Sequence, residues 1–455
     1  MGNEKLMMTS NIKIPEINSD HHEFIFDKDL IRRTSPNEAG FSRRLAAYNI
    51  FQQLTMPSRK IREWRKSGLE NFFPEKFLID PTRHQDPPCI FDIKQTILPK
   101  TDLAGLIILT SNGKTEVELN KKLEDQGVLL CNLKSAEELH LKILESIMGR
   151  IVAADESKFS ALTQSLDTDG VLFYVPKGIK IQKPIQSVYL AEGDHQVRTF
   201  HLLVYLEEDA SVTFIQEWVG LGNEQATNLH SGVVEVKVGR GAELNFIEIQ
   251  AWNDAWWSVL HERADLLKNS HLNWMIYADG SYYSRSFLGV DLIGENARTE
   301  MTGISLNTTD TQIDFDTYQQ HSAENTKSDL LFKNAMANNG RSVWSGMIKV
   351  EKNALKTDGY QANKNLLLCG TPHVESIPGL EILADDVRCS HGVTVGEIDA
   401  DQVFYLTSRG IPEGEAKQLI ADGFLNSSLN RISNEVVREK IETRIHNKLG
   451  LLFCE

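Results

Sequence analysis

Cys389 and His391 stand two residues apart in the run ADDVRCSHGVTVGEID, flanked by Ser390 and Gly392. In a strand, residues i and i+2 share a face roughly 6–7 Å apart, so this spacing sets a thiol and an imidazole side by side. Such an edge suits zinc, copper or iron–sulfur species. Two donors cannot close a four-coordinate site, so a metal or cluster held here needs ligands from elsewhere. The competing reading is a small buried thiol beside a structural histidine, and Val387, Val393 and Val395, on the same strand parity, favour burial. Cys89, Cys131, Cys369 and Cys454 are scattered without CxxC spacing and read as core or surface residues. A few unpaired cysteines point to a reducing compartment, the cytoplasm. His195, His201, His230, His261, His271 and His321 follow no ligand spacing and read as structural, and Trp252, Trp256 and Trp257 as packing.

Bulk properties narrow the function classes. The 455 residues carry a formal net charge of −15, which disfavours nucleic acid as the main partner. The start, MGNEKLMMTSN, has no apolar signal core, and runs such as LAGLIIL are too short to span a bilayer. No GxxxxGK[ST] loop is present, so nucleotide hydrolysis is not expected of this chain.

Three segments position the Cys–His edge. Residues 1–160 read as mixed and mainly helical, with helix starts at Ser35-Pro36-x-Glu38, at Pro57-Ser58 and at Ser135 with Glu138. Short apolar runs between 86 and 131 suggest some strand there. Residues 161–398 are dominated by short strands such as VLFYV, SVTFIQEW and ELNFIEIQ. A turn residue followed by a small one recurs at Asp209-Ala210, Gly241-Ala242, Asn269-Ser270, Asn296-Ala297, Asn325-Thr326 and Asn353-Ala354. Steps of about 27–32 residues fall in the solenoid range and favour a stacked β-helix. Residues 399–455 return to helix: Asp399 with Gln402 opens one that Gly410 ends, Pro412 opens a second, and Ser433 a third. In that third helix Val437, Ile441, Ile445 and Leu449 form one apolar stripe, suited to capping the open end of the solenoid or docking a partner.

Four separated stretches together resemble the SufB/SufD family of iron–sulfur cluster assembly scaffolds: MPSRKIREWRK (56–66), DGVLFYVPKGIKIQKPI (169–185), KTDGYQANKNLLL (356–368) and the run from Ala384 to Leu425. The resemblance implies a mainly β protein, with a right-handed parallel β-helix between the mixed, mainly helical N-terminal domain and a C-terminal helical domain. It further implies a non-catalytic scaffold that works with a paralogue, paired through the β-helices, and with an ABC-type ATPase docked on the C-terminal helices. Phe404, Tyr405, Leu406, Arg409, Leu419 and Phe424 are then candidates to face the ATPase. Cys389 and His391 become candidate ligands of a transient cluster shared with the partner subunit.

Within the family, CSHGVTVG resembles SufD, since SufB types tend to carry an acidic residue on each side of the histidine. The strand TFIQEWVG, where a SufB type carries a sulfur-accepting cysteine, has Glu217 and Trp218 instead, and no cysteine lies between Cys131 and Cys369. Gln250-Ala251-Trp252 resembles a SufB element and points the other way. Alternative readings are a SufB-type subunit, a β-helix enzyme acting on polysaccharide, and a structural homo-oligomer; a homodimer is also compatible with the SufD reading. The missing secretion signal, the acidic charge and the lack of clustered carboxylates weigh against the enzyme.

Overall fold

In a computed structural model, described here for residues 23–61, 64–79, 96–167, 169–222, 227–432 and 434–453, the middle of the chain winds into a parallel β-solenoid of about eight turns. Alternate strands build two sheets. One runs from Gly105–Thr110 through Ile185–Ala191 and six further parallel strands to Val387–Glu397. The other runs from Asp169–Val175 through six parallel strands to His373–Ile382. Each coil adds one strand to each sheet, in unshifted register except for one irregularity at Met336/Ala337. The short strands Thr115–Leu119 and Leu129–Asn132 close the starting edges antiparallel.

The repeat has a direct backbone cause. Asp209, Gly241, Asn269, Asn296 and Asn325 all lie in the left-handed region, with φ between 57° and 64°. Asn and Asp reach that region at less cost than other side-chain-bearing residues. Each donates its N–H to the residue just before the corner of the next coil, as Asn269 does to Glu295 and Asn296 to Glu324. The small residue that follows is buried under the turn. At the sixth corner the sequence reading is corrected: the left-handed residue is Lys356 (φ 58°), followed by buried Thr357, and not Asn353-Ala354.

Apolar side chains fill the space between the sheets, among them Phe173, Phe214, Phe246, Trp274, Phe332 and Trp344. Two outer layers complete the protein. Phe24, Tyr48, Phe51 and Phe159 of the N-terminal region pack on Leu229, Trp257, Val259 and Tyr283 of the second sheet. The final helix, Glu435–Phe453, lays Val437, Ile441, Ile445 and Leu449, all fully buried, on Ile215, Ile247, Ile249, Met275 and Tyr277 of the first sheet. The apolar stripe therefore covers a flank of the solenoid and leaves its end open.

Local predictions at the N-terminus divide. The helix Glu38–Gln53 forms, capped by Asn37, which accepts from Gly40 N. Its N-cap is one residue after Pro36, because Pro36 has no N–H and Asn37 supplies a capping oxygen. The described residues of 57–66 make turns in place of the predicted helix; Trp64 is buried there and stacks on Phe159. The expected helix from Ser135 is two, Leu133–Leu139 and Leu141–Glu145, broken at His140. Ser433, the predicted start of the final helix, lies outside the described residues; Asn434 Oδ1 accepts from Val437 N.

Candidate functional site

Cys389 and His391 lie on Val387–Glu397, the last strand of its sheet. Its inner edge pairs with Thr357–Gly370, placing Gly359 opposite Cys389 and Gln361 opposite His391. Register carries the same positions back to Ser328 and Leu330, both buried, so the pair sits on the core-facing side of the strand. The expected burial does not follow. Val393 and Val395 are 38% and 51% exposed, because no coil among the described residues covers this face.

The two side chains differ in setting. Cys389 is half-buried beside Ile348, Val350, Ala354 and Ala384. Burial raises its pKa, the Asp358 carboxylate adds to the rise, and a hydrogen bond with the Gly359 backbone opposes it. The thiol therefore stays protonated unless a cation draws the proton off. A Cβ at Gly359 would lie 3.4 Å from Cys389 Sγ and 3.5 Å from His321 Nε2, so a larger residue there would crowd the thiol. His391 is exposed and makes no hydrogen bond among the described residues. Among those residues no group of three or more His, Cys, Asp or Glu assembles a complete metal site. The arrangement can offer sulfur and nitrogen donors at an open edge and cannot close a coordination sphere alone.

The other candidates form a second locality. The helix Ala400–Thr407 starts on Asp399, which accepts from Asp401 N, and is followed by Gly410 with φ 89°. It has no buried residue: Phe404 is 73% and Tyr405 55% exposed, and Arg409 stacks 4.4 Å over the Tyr405 ring. Leu406 is half-buried. Leu419, on Glu413–Asn426, is exposed. Phe424 differs, since it is half-buried at the base of the arm, where Lys333 Nζ donates to its carbonyl oxygen at 2.6 Å and to Ser427 Oγ at 2.5 Å. Between this arm and the first sheet lies a groove of about 780 Å³ that includes Cys369, Glu397, Val403 and Phe404. Cys131 is embedded and burial pushes its pKa up to about 11; Cys89 and Cys454 lie outside the described residues.

Two buried charge networks were missed in the sequence. His201 is held by Asp167 at 3.0 Å and Glu235 at 2.8 Å, and Glu235 also accepts the N–H groups of Gly149, Arg150, Ile151 and Val152. Burial alone would lower the His201 pKa, but the two carboxylates raise it to about 9. On the other flank, buried Glu217 meets Lys440 Nζ at 2.5 Å, and Asp279 receives Arg444 at 2.9 Å. Lys440, Arg444 and Lys448 follow each other at helical spacing beside the apolar stripe, a pattern visible in the sequence although the acids it meets are not. Lone acids inside apolar strands, Glu217 in TFIQEWVG and Glu235 in GVVEVKV, were the other clue.

Comparison with known proteins covers nearly the whole described chain. Residues 189–424 match the family model described as SUF system FeS cluster assembly, SufBD core domain. Residues 23–187 match the model for the SufBD protein N-terminal region. Proteins named "Iron-sulfur cluster assembly SufBD family protein" from Staphylococcus epidermidis, Staphylococcus haemolyticus and Staphylococcus aureus are each 25% identical over 410 residues, spanning 87% of this chain and 86% of theirs.

Proposed function

This chain belongs to the SufBD family of iron–sulfur cluster assembly proteins, and we propose that it serves there as a SufD-type, non-catalytic scaffold subunit. The observation that carries this reading is the placing of Cys389 and His391 on the core-facing side of the last strand, whose outer edge pairs with no other strand among the described residues. A partner that continues the sheet would bring its own donors against this edge, and the nascent cluster, as cargo, would be held between the two chains. A SufB-type paralogue is the partner proposed for that edge. The exposed arm carrying Phe404, Tyr405, Leu406, Arg409 and Leu419 is the surface proposed for the ATPase, while Phe424 and Lys333 fix the arm to the solenoid. The SufD assignment is supported by buried Glu217, which is tied to Lys440 where a SufB type would need a reactive thiol.

The test is anaerobic measurement of iron and acid-labile sulfide in the complex with its paralogue and ATPase, comparing wild type with Cys389→Ala and His391→Ala. Cluster content is expected to fall several-fold in both variants while the complex still assembles. Unchanged content in an intact complex would place the ligands on the partner and leave this chain an architectural subunit.

A further inference from the structure

Inside the solenoid, away from the Cys–His edge, two carboxyl groups meet without a counter-charge. Glu248, on Glu243–Ala251, and Glu262, on Trp256–Leu266, are both fully buried. Glu248 Oε1 accepts from Trp218 Nε1 at 3.0 Å and from Gln250 Nε2 at 2.7 Å. Its Oε2 has no well-aligned donor, and neither oxygen of Glu262 has one, although the Ser286 hydroxyl lies close enough to interact with Glu262. Gln216, in register with Glu248 on the neighbouring strand, is also fully buried, and its Oε1 is unpartnered. Among the described residues, no Lys, Arg or His pairs with either carboxylate. Burial, and then the charge of Glu248, push the Glu262 pKa well up, with Ser286 opposing from close by.

An ionised carboxylate is not left unpaired in such a place, because transfer out of water costs several kcal/mol or more. Two solutions exist. A proton shared between the acids, with the Ser286 hydroxyl turned to the second Glu262 oxygen, would satisfy both carboxyl groups and leave Gln216 Oε1 orphaned. A cation could serve all four. The orphaned atoms of this cluster are oxygens throughout, with the Ser286 hydroxyl beside them. Carboxylate, amide and hydroxyl oxygens are the donors preferred by hard divalent ions and offer nothing to soft ones.

We propose that Glu248, Glu262 and Gln216 bind a hard divalent cation of the magnesium or manganese class inside the solenoid. The site lies between the sheets, so the ion enters as the coils close around it. It does not depend on the cluster-scaffold reading, since it shares no residue with Cys389 and His391.

The experiment uses the full chain, expressed with manganese supplementation, purified natively and passed through a chelating column. Bound manganese is counted by atomic emission and its environment read by electron paramagnetic resonance. The wild type is expected to retain about one equivalent, and Glu262→Gln at least tenfold less, with lower thermal stability. Glu262→Gln imitates the protonated acid, so it also tests the alternative. If the pair only shares a proton, the variant will be as stable as wild type or more so, and neither protein will keep manganese. That result overturns the proposal, as does equal retention in both proteins. Should Glu262→Gln fail to fold, Glu248→Gln makes the same comparison, and a manganese-free wild type overturns the proposal without any variant.

Discussion

Replacing Lys440 by methionine should loosen the final helix without unfolding the solenoid beneath it. Glu217 is fully buried and its principal partner is Lys440 Nζ, at 2.5 Å; among the described residues Arg444 is the other cation close by, at 3.9 Å. Removing one partner of a buried ion pair costs about 3–5 kcal/mol, because the surviving charge is left without compensation. Arg444 remains to offset part of that, so the lower end, about 3 kcal/mol, is expected. Against it stand Val437, Ile441, Ile445 and Leu449, each fully buried and worth about 1.5–3 kcal/mol. Their sum exceeds the loss, so the helix stays docked but opens more often. A cost of about 3 kcal/mol corresponds to roughly a hundredfold rise in the open population. Hydrogen exchange read by mass spectrometry over residues 435–449 should accelerate by about that factor, while the interior strands keep their protection. The double variant Glu217→Gln/Lys440→Met, which removes both charges, should regain most of it. Protection unchanged within about threefold in Lys440→Met would refute the argument, as would a loss spread equally over the solenoid.

His201 supplies a pH signature. Its pKa is raised from an ordinary 6.5 to about 9 in the folded chain, so its stabilisation is complete below about pH 6.5 and lost as pH rises through about 9. That difference corresponds to about 3 kcal/mol, and denaturant midpoints measured from pH 6 to 10 should fall for wild type and stay nearly flat for His201→Gln. At the arm, Phe404→Glu with Tyr405→Ala should weaken ATPase capture at least tenfold in pull-down titrations, with the melting temperature unchanged, because neither ring is buried. Complete removal of residues 399–455 should instead give an aggregating protein in light scattering, since it would uncover Ile215, Ile247, Ile249, Met275 and Tyr277.

The solenoid was legible because its corners carry their own chemistry. A residue tolerant of the left-handed region, followed by a small one, must recur once per coil, and Asp209, Gly241, Asn269, Asn296 and Asn325 announce it. Lys356 escaped because lysine is not a residue that advertises positive φ; the hydrogen bond from its N–H to Asp386 holds it there. The final helix was legible as an amphipathic stripe, but its docking surface was not. Periodicity says that a face must be covered and is silent on what covers it. The basic residues at 440, 444 and 448, read with the isolated acids at 217 and 279, carry that information only once the strands are in register. Residues 57–66 failed for a related reason: Trp64 is worth more packed on Phe159 and Phe287 than in a short isolated helix.

The exposure of Val393 and Val395 bears most directly on function. A solenoid interior is sealed by its next coil, and the sequence after Val387–Glu397 supplies none, turning at Ile398 into the helical arm. Core-type side chains left open on a terminal strand, beside an unpaired backbone edge, are a liability for a solitary protein. They are accounted for if another chain provides the missing coil. Cys389 and His391 sit on this same face, so whatever covers the valines also covers them, and the number of donors missing from the site is the number that the covering chain must bring. A thiol whose pKa burial has raised would then lose its proton only as the metal arrives. On the proposed reading, cluster binding and subunit pairing would be one event at one strand, and a variant that blocks pairing, such as Val393→Glu, should abolish cluster retention although Cys389 and His391 remain in place.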